Sequence, residues 1–142
     1  MIDKIEVTID VIIHATEDIS RIFQSFEELL DLKEENFTIH ETKGHFDNPI
    51  MILNAKIVKK AAQNFMKKLL KLLSVEQINE LIEEIEERTI DSRFHMRFDK
   101  QELIKGSLTF GEKEAIKIKI YTPIYNKRNT VETFTEIFQI AN

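Results

Sequence analysis

Residues 5–14 of the chain read IEVTIDVIIH, and this stretch decides the fold class because its apolar side chains alternate. The apolar side chains stand at every second position: Ile5, Val7, Ile9, Val11 and Ile13. Successive side chains of a β-strand point to opposite sides, so the stretch predicts a strand with one buried and one mostly solvated side. A sheet built on such strands needs a layer of helices on one side only.

Beyond this stretch, apolar side chains recur either at the period of a strand or at the period of a helix. Strands are predicted at residues 37–40, 93–99, 108–110 and 116–121 from their spacing of apolar side chains, and at residues 50–58, which are apolar and rich in β-branched side chains. Helices are predicted near residues 17–32, 60–73, 75–88 and 130–140, with Thr16 as the first N-cap and Ser74 with Gln77 as a capping box. The order β-α-β-β-α-α-β-β-β-α predicts an α+β fold: a mainly antiparallel sheet with helices packed on one face.

The composition fits one folded domain over residues 1–142. Of the 142 residues, 42% are hydrophobic, and there are only 3 Gly and 2 Pro. The absence of Cys excludes disulfide bonds and thiolate zinc sites. No apolar run reaches the ~18–20 residues that cross a bilayer. We therefore expect a cytoplasmic protein without membrane contact.

Charge is distributed unevenly along the chain. Residues 1–58 contain five Lys or Arg against twelve Asp or Glu, a net charge of −7. Residues 93–128 contain nine Lys or Arg against four Asp or Glu, a net charge of +5. Clustered cations attract phosphate locally even in an acidic protein. The alternative is a surface on which the acidic and basic parts neutralise one another through salt bridges.

Motifs of catalysis and of metal binding give no functional assignment. The sequence has no phosphate-binding Gly loop, no zinc-protease helix motif and no nucleophile elbow, so we expect no enzyme, no catalytic residue and no cofactor. His40, His45 and Asp47 offer nitrogen and oxygen ligands in one short stretch. They come from the second predicted strand and the flexible loop after it, and a structural site would need a fourth ligand, so we expect ordinary surface side chains and no bound metal.

The predicted solvated sides of the later strands carry most of the functional signal. Arg93, His95 and Arg97 share one side of a strand at a spacing of about 6.6–7 Å, which is similar to the phosphate repeat of a single nucleic-acid strand. Lys117, Lys119 and Tyr121 form a second row if their strand lies in the same sheet with the same side exposed. Basic side chains bind nucleic-acid backbones, and an exposed aromatic ring can stack on a base. The alternative is a solvated polar side, or one paired with the acids of the first strand.

Two motifs carry a family resemblance. Residues 43–50 read KGHFDNPI and residues 97–101 read RFDKQ. With them, the chain resembles the small archaeal proteins described as predicted exosome subunits or RNA-binding proteins. The similarity extends over nearly the whole chain and includes the glutamate-rich segment before Arg88 and Gly106 after the second motif. The chain departs from the family pattern at Asp47, where the family has Gly.

The resemblance implies a fold similar to that of the large-subunit ribosomal protein that binds 5S rRNA. It also implies an accessory role in RNA processing, with no catalytic residue. The motif positions it marks are Lys43, Gly44, His45, Asn48, Arg97, Asp99, Lys100 and Gln101. Several of them also suit turns and strand ends, so a purely structural role for each remains open.

The leading hypothesis is therefore a non-catalytic RNA-binding protein that contacts the RNA backbone and works with an RNA-processing complex. Its expected contacts are Arg93, His95, Arg97, Lys100, Gln101, Lys117, Lys119, Tyr121, Lys43 and His45. One alternative is a protein–protein adaptor or homodimer that does not touch nucleic acid. Another is a module for a small ligand or a metal.

Overall fold

The computed structural model describes residues 4–113 and 115–140. The strands are β1 (Glu6–His14), β2 (Phe37–Lys43), β3 (Pro49–Val58), β4 (Thr89–Ile90), β5 (Arg93–Phe98) and β6 (Ile116–Tyr121). The helices are α1 (Ile19–Leu30), α2 (Lys59–Leu72), α3 (Val75–Glu83), α4 (Ile85–Arg88), α5 (Lys100–Ile104) and α6 (Thr130–Phe138). The strands form one sheet in the order β2-β3-β1-β6-β5-β4. The predicted α+β class with a mainly antiparallel sheet is confirmed.

The chain divides into two compact units. Of the described residues, the first unit contains 4–7, 57–96 and 119–140, and the second contains 8–56, 97–113 and 115–118. No helix in the described part of the chain is long and apolar enough to cross a membrane. The prediction of a single domain over residues 1–142 stays a prediction.

The core of the first unit is aromatic. The ring centroid of Phe94 on β5 lies 5.6 Å from that of Phe134 and 4.9 Å from that of Phe138, both on α6. Helices α3 and α4 also pack against α6. Each large apolar side chain buried in this way contributes about 1.5–3 kcal/mol relative to exposure. The period-2 pattern of β5 and the helical period of α6 therefore meet in one cluster.

The core of the second unit joins α1 to β2, and α1 also packs against α5. The Phe37 ring on β2 lies 5.0 Å from Phe26 and 5.6 Å from Phe23, centroid to centroid. Helix α1 begins with Asp18 as N-cap, because the Asp18 carboxylate accepts a hydrogen bond of 3.0 Å from the backbone N–H of Ser20. The prediction of Thr16 as N-cap is therefore wrong by two positions. The Ser74–Gln77 capping box, in contrast, is confirmed, with reciprocal bonds of 2.8 and 3.1 Å.

Several elements differ from the prediction, including the unpredicted α5. Strand β4 was not predicted; it pairs with β5 across a turn in which Asp91 and Ser92 have φ of 50° and 65°. This is the backbone of a two-residue hairpin that usually carries Asn-Gly, so its sequence signal is absent here. The predicted strand at residues 108–110 is only an isolated bridge between Phe98 and Phe110. The predicted helix at residues 75–88 is divided at Glu84 into α3 and α4.

Candidate nucleic-acid interface

The two sides of β5 are divided as the sequence predicts. Phe94, Met96 and Phe98 are buried, with at most 1% of each side chain exposed. On the opposite side Arg93 and Arg97 are exposed and His95 is half-buried. Burial of the aromatic residues therefore forces the basic residues toward solvent, because neighbouring side chains of a strand cannot share a side.

In the first unit the two predicted rows meet. Strands β5 and β6 are neighbours in the sheet, and the guanidinium carbon of Arg93 lies 4.8 Å from the ring centroid of Tyr121. Arg93 also donates a hydrogen bond of 3.1 Å to the carbonyl of Asp91. These two contacts hold the guanidinium over the ring, which is the geometry of a cation–π pair. The condition that the second row lies beside the first is thereby met at Arg93 and Tyr121.

Arg88, which sequence reasoning did not select, supports β5 from the first unit. Its guanidinium forms an ion pair of 2.8 Å with Glu84 and donates a bond of 3.4 Å to the backbone carbonyl of His95. Arg88 is thus committed to the structure rather than presented to a ligand. The only signal for it in the sequence is the spacing of four residues from Glu84, which suits a helical ion pair.

In the second unit the predicted RNA contacts Arg97 and Lys117 are exposed, and so is Gln101 on α5. Within the described residues, Arg97, Lys117 and Lys119 have no carboxylate at ion-pairing distance. Asp10 on β1 accepts a bond of 2.6 Å from the side-chain amide of Asn54. The alternative in which these three cations are neutralised by salt bridges is therefore not supported there.

The prediction that Lys100 contacts RNA needs correction, because the Lys100 side chain does not face solvent. Only 3% of the residue is exposed. Its ammonium group donates a bond of 2.7 Å to the carbonyl of Ile12 and forms an ion pair of 2.8 Å with Glu17. Lys100 follows the end of β5, at the start of α5, where the alternation of the strand no longer predicts direction. Its buried ammonium group does not fit the predicted role of a phosphate contact.

The electrostatics of Glu17 follow from this pair. Burial is the largest single influence and raises the pKa of Glu17. The hydrogen bond from Lys100, a 2.9 Å bond from the backbone N–H of His14 and the charges of Lys100 and His14 together lower the pKa by more than burial raises it. The pKa of Glu17 consequently lies below its ordinary value of 4.5. The second carboxylate oxygen of Glu17 is buried without a hydrogen-bond partner among the described residues.

The predicted loop at residues 43–49 is a tight hairpin turn between β2 and β3. Lys43 is exposed and pairs with Pro49, and the Gly44 N–H donates a bond of 2.8 Å to the Asn48 carbonyl. A Cβ at Gly44 would collide with the side chain of Ile50. Asp47 has a φ of 59°, in the left-handed region that favours glycine, which explains the Gly of the family pattern at this position.

Metal ligands do not converge in the part of the chain that the structure describes. No group of three or more His, Asp or Glu residues there is placed to hold a metal ion. His40 is exposed on β2. The side chain of His45 lies outside the described part, so the expectation of an ordinary surface histidine at this position stays a prediction.

The fold and this face define a class: a small α+β protein whose exposed sheet side presents cations beside an aromatic ring. Residues 6–122 match the model of a family described as RNA binding, and the chain belongs to that family.

Relatives with known names and structures support the assignment. The chain is 33% identical over 126 residues to the RNA-binding protein PAB1135 of Pyrococcus abyssi, covering 81% of this chain and 82% of the relative. It is 31% identical over 147 residues to protein MJ0213 of Methanocaldococcus jannaschii, covering 96% and 95% of the two chains. The crystal structure of protein AF2318 from Archaeoglobus fulgidus superposes with a TM-score of 0.80 at 26% identity, covering 94% of this chain and 99% of the other.

Proposed function

We propose that the protein binds RNA through the exposed side of β5 and β6 and acts without catalysing a reaction. The observation that carries the proposal is the Arg93–Tyr121 pair in the first unit, with the half-buried His95 and Lys119 on the same side of their strands. A cation and a ring held together in this way can meet both a phosphate and a base. The family membership and the name of the Pyrococcus relative support RNA as the ligand.

The exposed cations of the second unit are proposed as further phosphate contacts: Lys43, Arg97 and Lys117. Contacts to phosphates supply affinity that does not depend on base sequence and that falls with salt concentration. We therefore propose a backbone-directed RNA binder with little sequence preference. We leave Lys100 out of this set because its ammonium group is buried against Glu17.

A finer proposal concerns the cellular role. We propose an accessory role in archaeal RNA processing, in the cytoplasm, as a partner of an exosome-type complex. Support comes from the resemblance at residues 43–50 and 97–101 and from the archaeal source of the relatives. Tagged protein isolated from an archaeal host should retain the subunits of that complex after RNase treatment. Loss of all partners after the treatment would restrict the proposal to RNA binding.

Binding of fluorescently labelled RNA tests the proposed function. We expect wild-type protein to bind two single-stranded RNAs of unrelated sequence with similar affinity at 50 mM salt. The variant Arg93→Gln with Lys119→Gln should bind both RNAs more weakly and by similar factors, because lost phosphate contacts act on every sequence alike.

The matched control is Lys67→Gln with Lys71→Gln, two exposed lysines of α2 whose loss changes the net charge equally. This control should retain nearly wild-type affinity. Equal weakening by the two double variants would show that net charge, and not the face, is responsible. Absence of binding to both RNAs would contradict the proposed function.

The alternative of an adaptor or homodimer also has one observation in its favour. Strand β2 is at the edge of the sheet, every residue from 38 to 43 is exposed, and Ile39 is 44% exposed. Edge strands with free backbone groups pair with other chains. Sedimentation analysis that finds a stable dimer, together with no RNA binding at 50 mM salt, would favour this alternative.

A further inference from the structure

A cavity of about 320 Å³ opens in the first unit beside Tyr121. Its walls come from stretches that are far apart in sequence: Lys4, Ile5 and Glu6, then Val58 and Lys59, then Tyr121 and Pro123. Ile5, Val58 and Pro123 contribute its apolar surface, and of these three residues Ile5 is buried. Its volume is at the lower end of the ~300–1,000 Å³ typical of small-ligand sites, which suits one compact ligand.

The walls of the cavity are tied to one another. The hydroxyl of Thr122, a residue that is 3% exposed, donates a bond of 2.8 Å to the carbonyl of Lys4. The Thr122 N–H donates a bond of 3.3 Å to the carbonyl of Ser92. Tyr121, the last residue of β6, is therefore followed by a residue that is held by two hydrogen bonds, and Pro123 stiffens the chain after it. Such a preformed wall binds a ligand at a smaller entropic cost.

Tyr121 contributes to two features at once. Arg93 lies 4.8 Å from its ring centroid, and Tyr121 also lines the cavity, which Arg93 does not. The contact with Arg93 restrains the ring of a residue that a flat ligand in the cavity would meet.

The charges around the cavity identify the kind of partner. Lys4 and Lys59 are exposed cations at its edge, and Glu6 is a single acid, so the lining has a net charge of +1. Cations at the rim of an apolar slot complement a ligand that has a planar ring and an anionic group.

We propose that this cavity binds one unpaired nucleotide of an RNA strand. The base lies against Tyr121 and Val58, and the phosphate is bound by Lys4 and Lys59. The inference rests on the proposed RNA binding and deepens it, because it adds a base-binding subsite to a backbone-directed face. Stacking on an aromatic ring tolerates every base, so the subsite selects unpaired over paired RNA and not one sequence over another.

Tyrosine fluorescence gives a direct readout, since the chain has 2 Tyr and no Trp. Tyr125 is 89% exposed and does not line the cavity, so Tyr125→Leu leaves Tyr121 as the sole tyrosine emitter. We expect saturating octauridylate to quench this emission, and a duplex RNA of equal length to leave it nearly unchanged. Unchanged emission at saturating octauridylate, with binding verified by anisotropy, would overturn the subsite and leave RNA binding standing. Absence of any binding would overturn both.

Affinity measurements on variants provide the second arm. Tyr121→Leu should weaken octauridylate binding roughly tenfold, as expected for one lost stacking contact. Tyr121→Phe keeps an aromatic ring and should bind octauridylate with nearly wild-type affinity. Tyr125→Leu is the matched control and should bind like wild type. Lys4→Gln with Lys59→Gln should weaken binding more than Lys67→Gln with Lys71→Gln, which removes the same charge from the outer side of α2. Equal affinity of Tyr121→Leu and Tyr121→Phe would overturn the proposal.

Free mononucleotide distinguishes a strand from a soluble ligand as the source of the nucleotide. Uridine monophosphate should quench Tyr121 only at concentrations far above those of octauridylate, because the strand adds phosphate contacts outside the cavity. Equal or tighter binding of the mononucleotide would overturn the RNA strand as the occupant in favour of a soluble nucleotide.

Discussion

Two regions of the molecule use basic side chains in opposite ways. Lys100, the first residue of α5 in the second unit, is buried and forms an ion pair of 2.8 Å with Glu17. Arg93, on β5 of the first unit, is exposed and lies 4.8 Å from the ring centroid of Tyr121. Both belong to the basic stretch of the sequence, but only the second is available to a ligand.

The difference shows where the sequence predicts that a basic side chain faces solvent and where it does not. Within a strand, burial of Phe94 and Phe98 determines that Arg93 and Arg97 face solvent. Past the end of the strand this constraint is lost, and a cation can turn inward if a carboxylate and a carbonyl meet it there. A buried pair of this kind is retained only when its partners satisfy it, because desolvation of the two charges is costly.

The largest expected effect is on stability, at Lys100. Lys100→Met should lower the free energy of unfolding by about 3 kcal/mol, since it leaves the Glu17 carboxylate and the Ile12 carbonyl without their partner. Urea unfolding measures this effect. The matched control is Lys105→Met, because Lys105 forms an exposed pair of 3.6 Å with Glu102 and its loss should change stability by less than about 0.5 kcal/mol.

A second variant separates the ion pair from general packing. Lys100→Met combined with Glu17→Gln should be more stable than Lys100→Met alone, because a neutral amide no longer leaves a charge buried and can still accept the N–H of His14. Equal stability of the two variants would indicate that packing of the lysine stem, and not the charge, is what matters.

The next effect is on the pH dependence of stability. The pKa of Glu17 lies below 4.5 in the folded protein, so its contribution is fully present above that pH and is lost as the pH falls through the lower, folded pKa. Wild type should therefore lose stability on acidification more steeply than Glu17→Gln. In Lys100→Met the loss should shrink, because burial then opposes ionisation with less compensation. Identical pH profiles of wild type and Glu17→Gln would contradict the assignment.

A much smaller effect on stability than that of Lys100→Met is expected on the exposed side of β5 and β6. Arg93→Gln with Lys119→Gln should change the free energy of unfolding by less than about 1 kcal/mol, because exposed cation–π contacts contribute little. The same urea series measures it. A loss as large as that of Lys100→Met would mean that this face is structural and would remove the contrast between the two regions.

Much of the fold follows from local pattern, and the site follows in part. The alternation in residues 5–14 and 93–98, and the reciprocal cap of Ser74 and Gln77, are local signals that the structure confirms. Strand β4 depends on a turn in which Asp91 and Ser92 have positive φ although neither is glycine, so the local sequence does not predict the turn or the strand. Helix α5 has five residues, too few for a helical period to be seen.

The burial of Lys100 and the cavity beside Tyr121 are beyond local prediction for a different reason. Lys100 meets Ile12 and Glu17 across 88 and 83 residues of chain. The cavity joins Lys4, Val58 and Tyr121, which only the folded chain brings together. Strand alternation predicts the side of the strand on which Tyr121 lies, because Tyr121 continues the row of Lys117 and Lys119, but it does not predict the cavity.

The salt dependence of RNA affinity tests the central claim most directly. Each phosphate contact to a single strand adds about −0.7 to the slope of log affinity against log salt concentration. Wild type should show a steep negative slope, and Arg93→Gln with Lys119→Gln should flatten it by roughly 1.4, two contacts' worth. Parallel lines for wild type and variant, both correctly folded, would contradict a phosphate-binding face on β5 and β6.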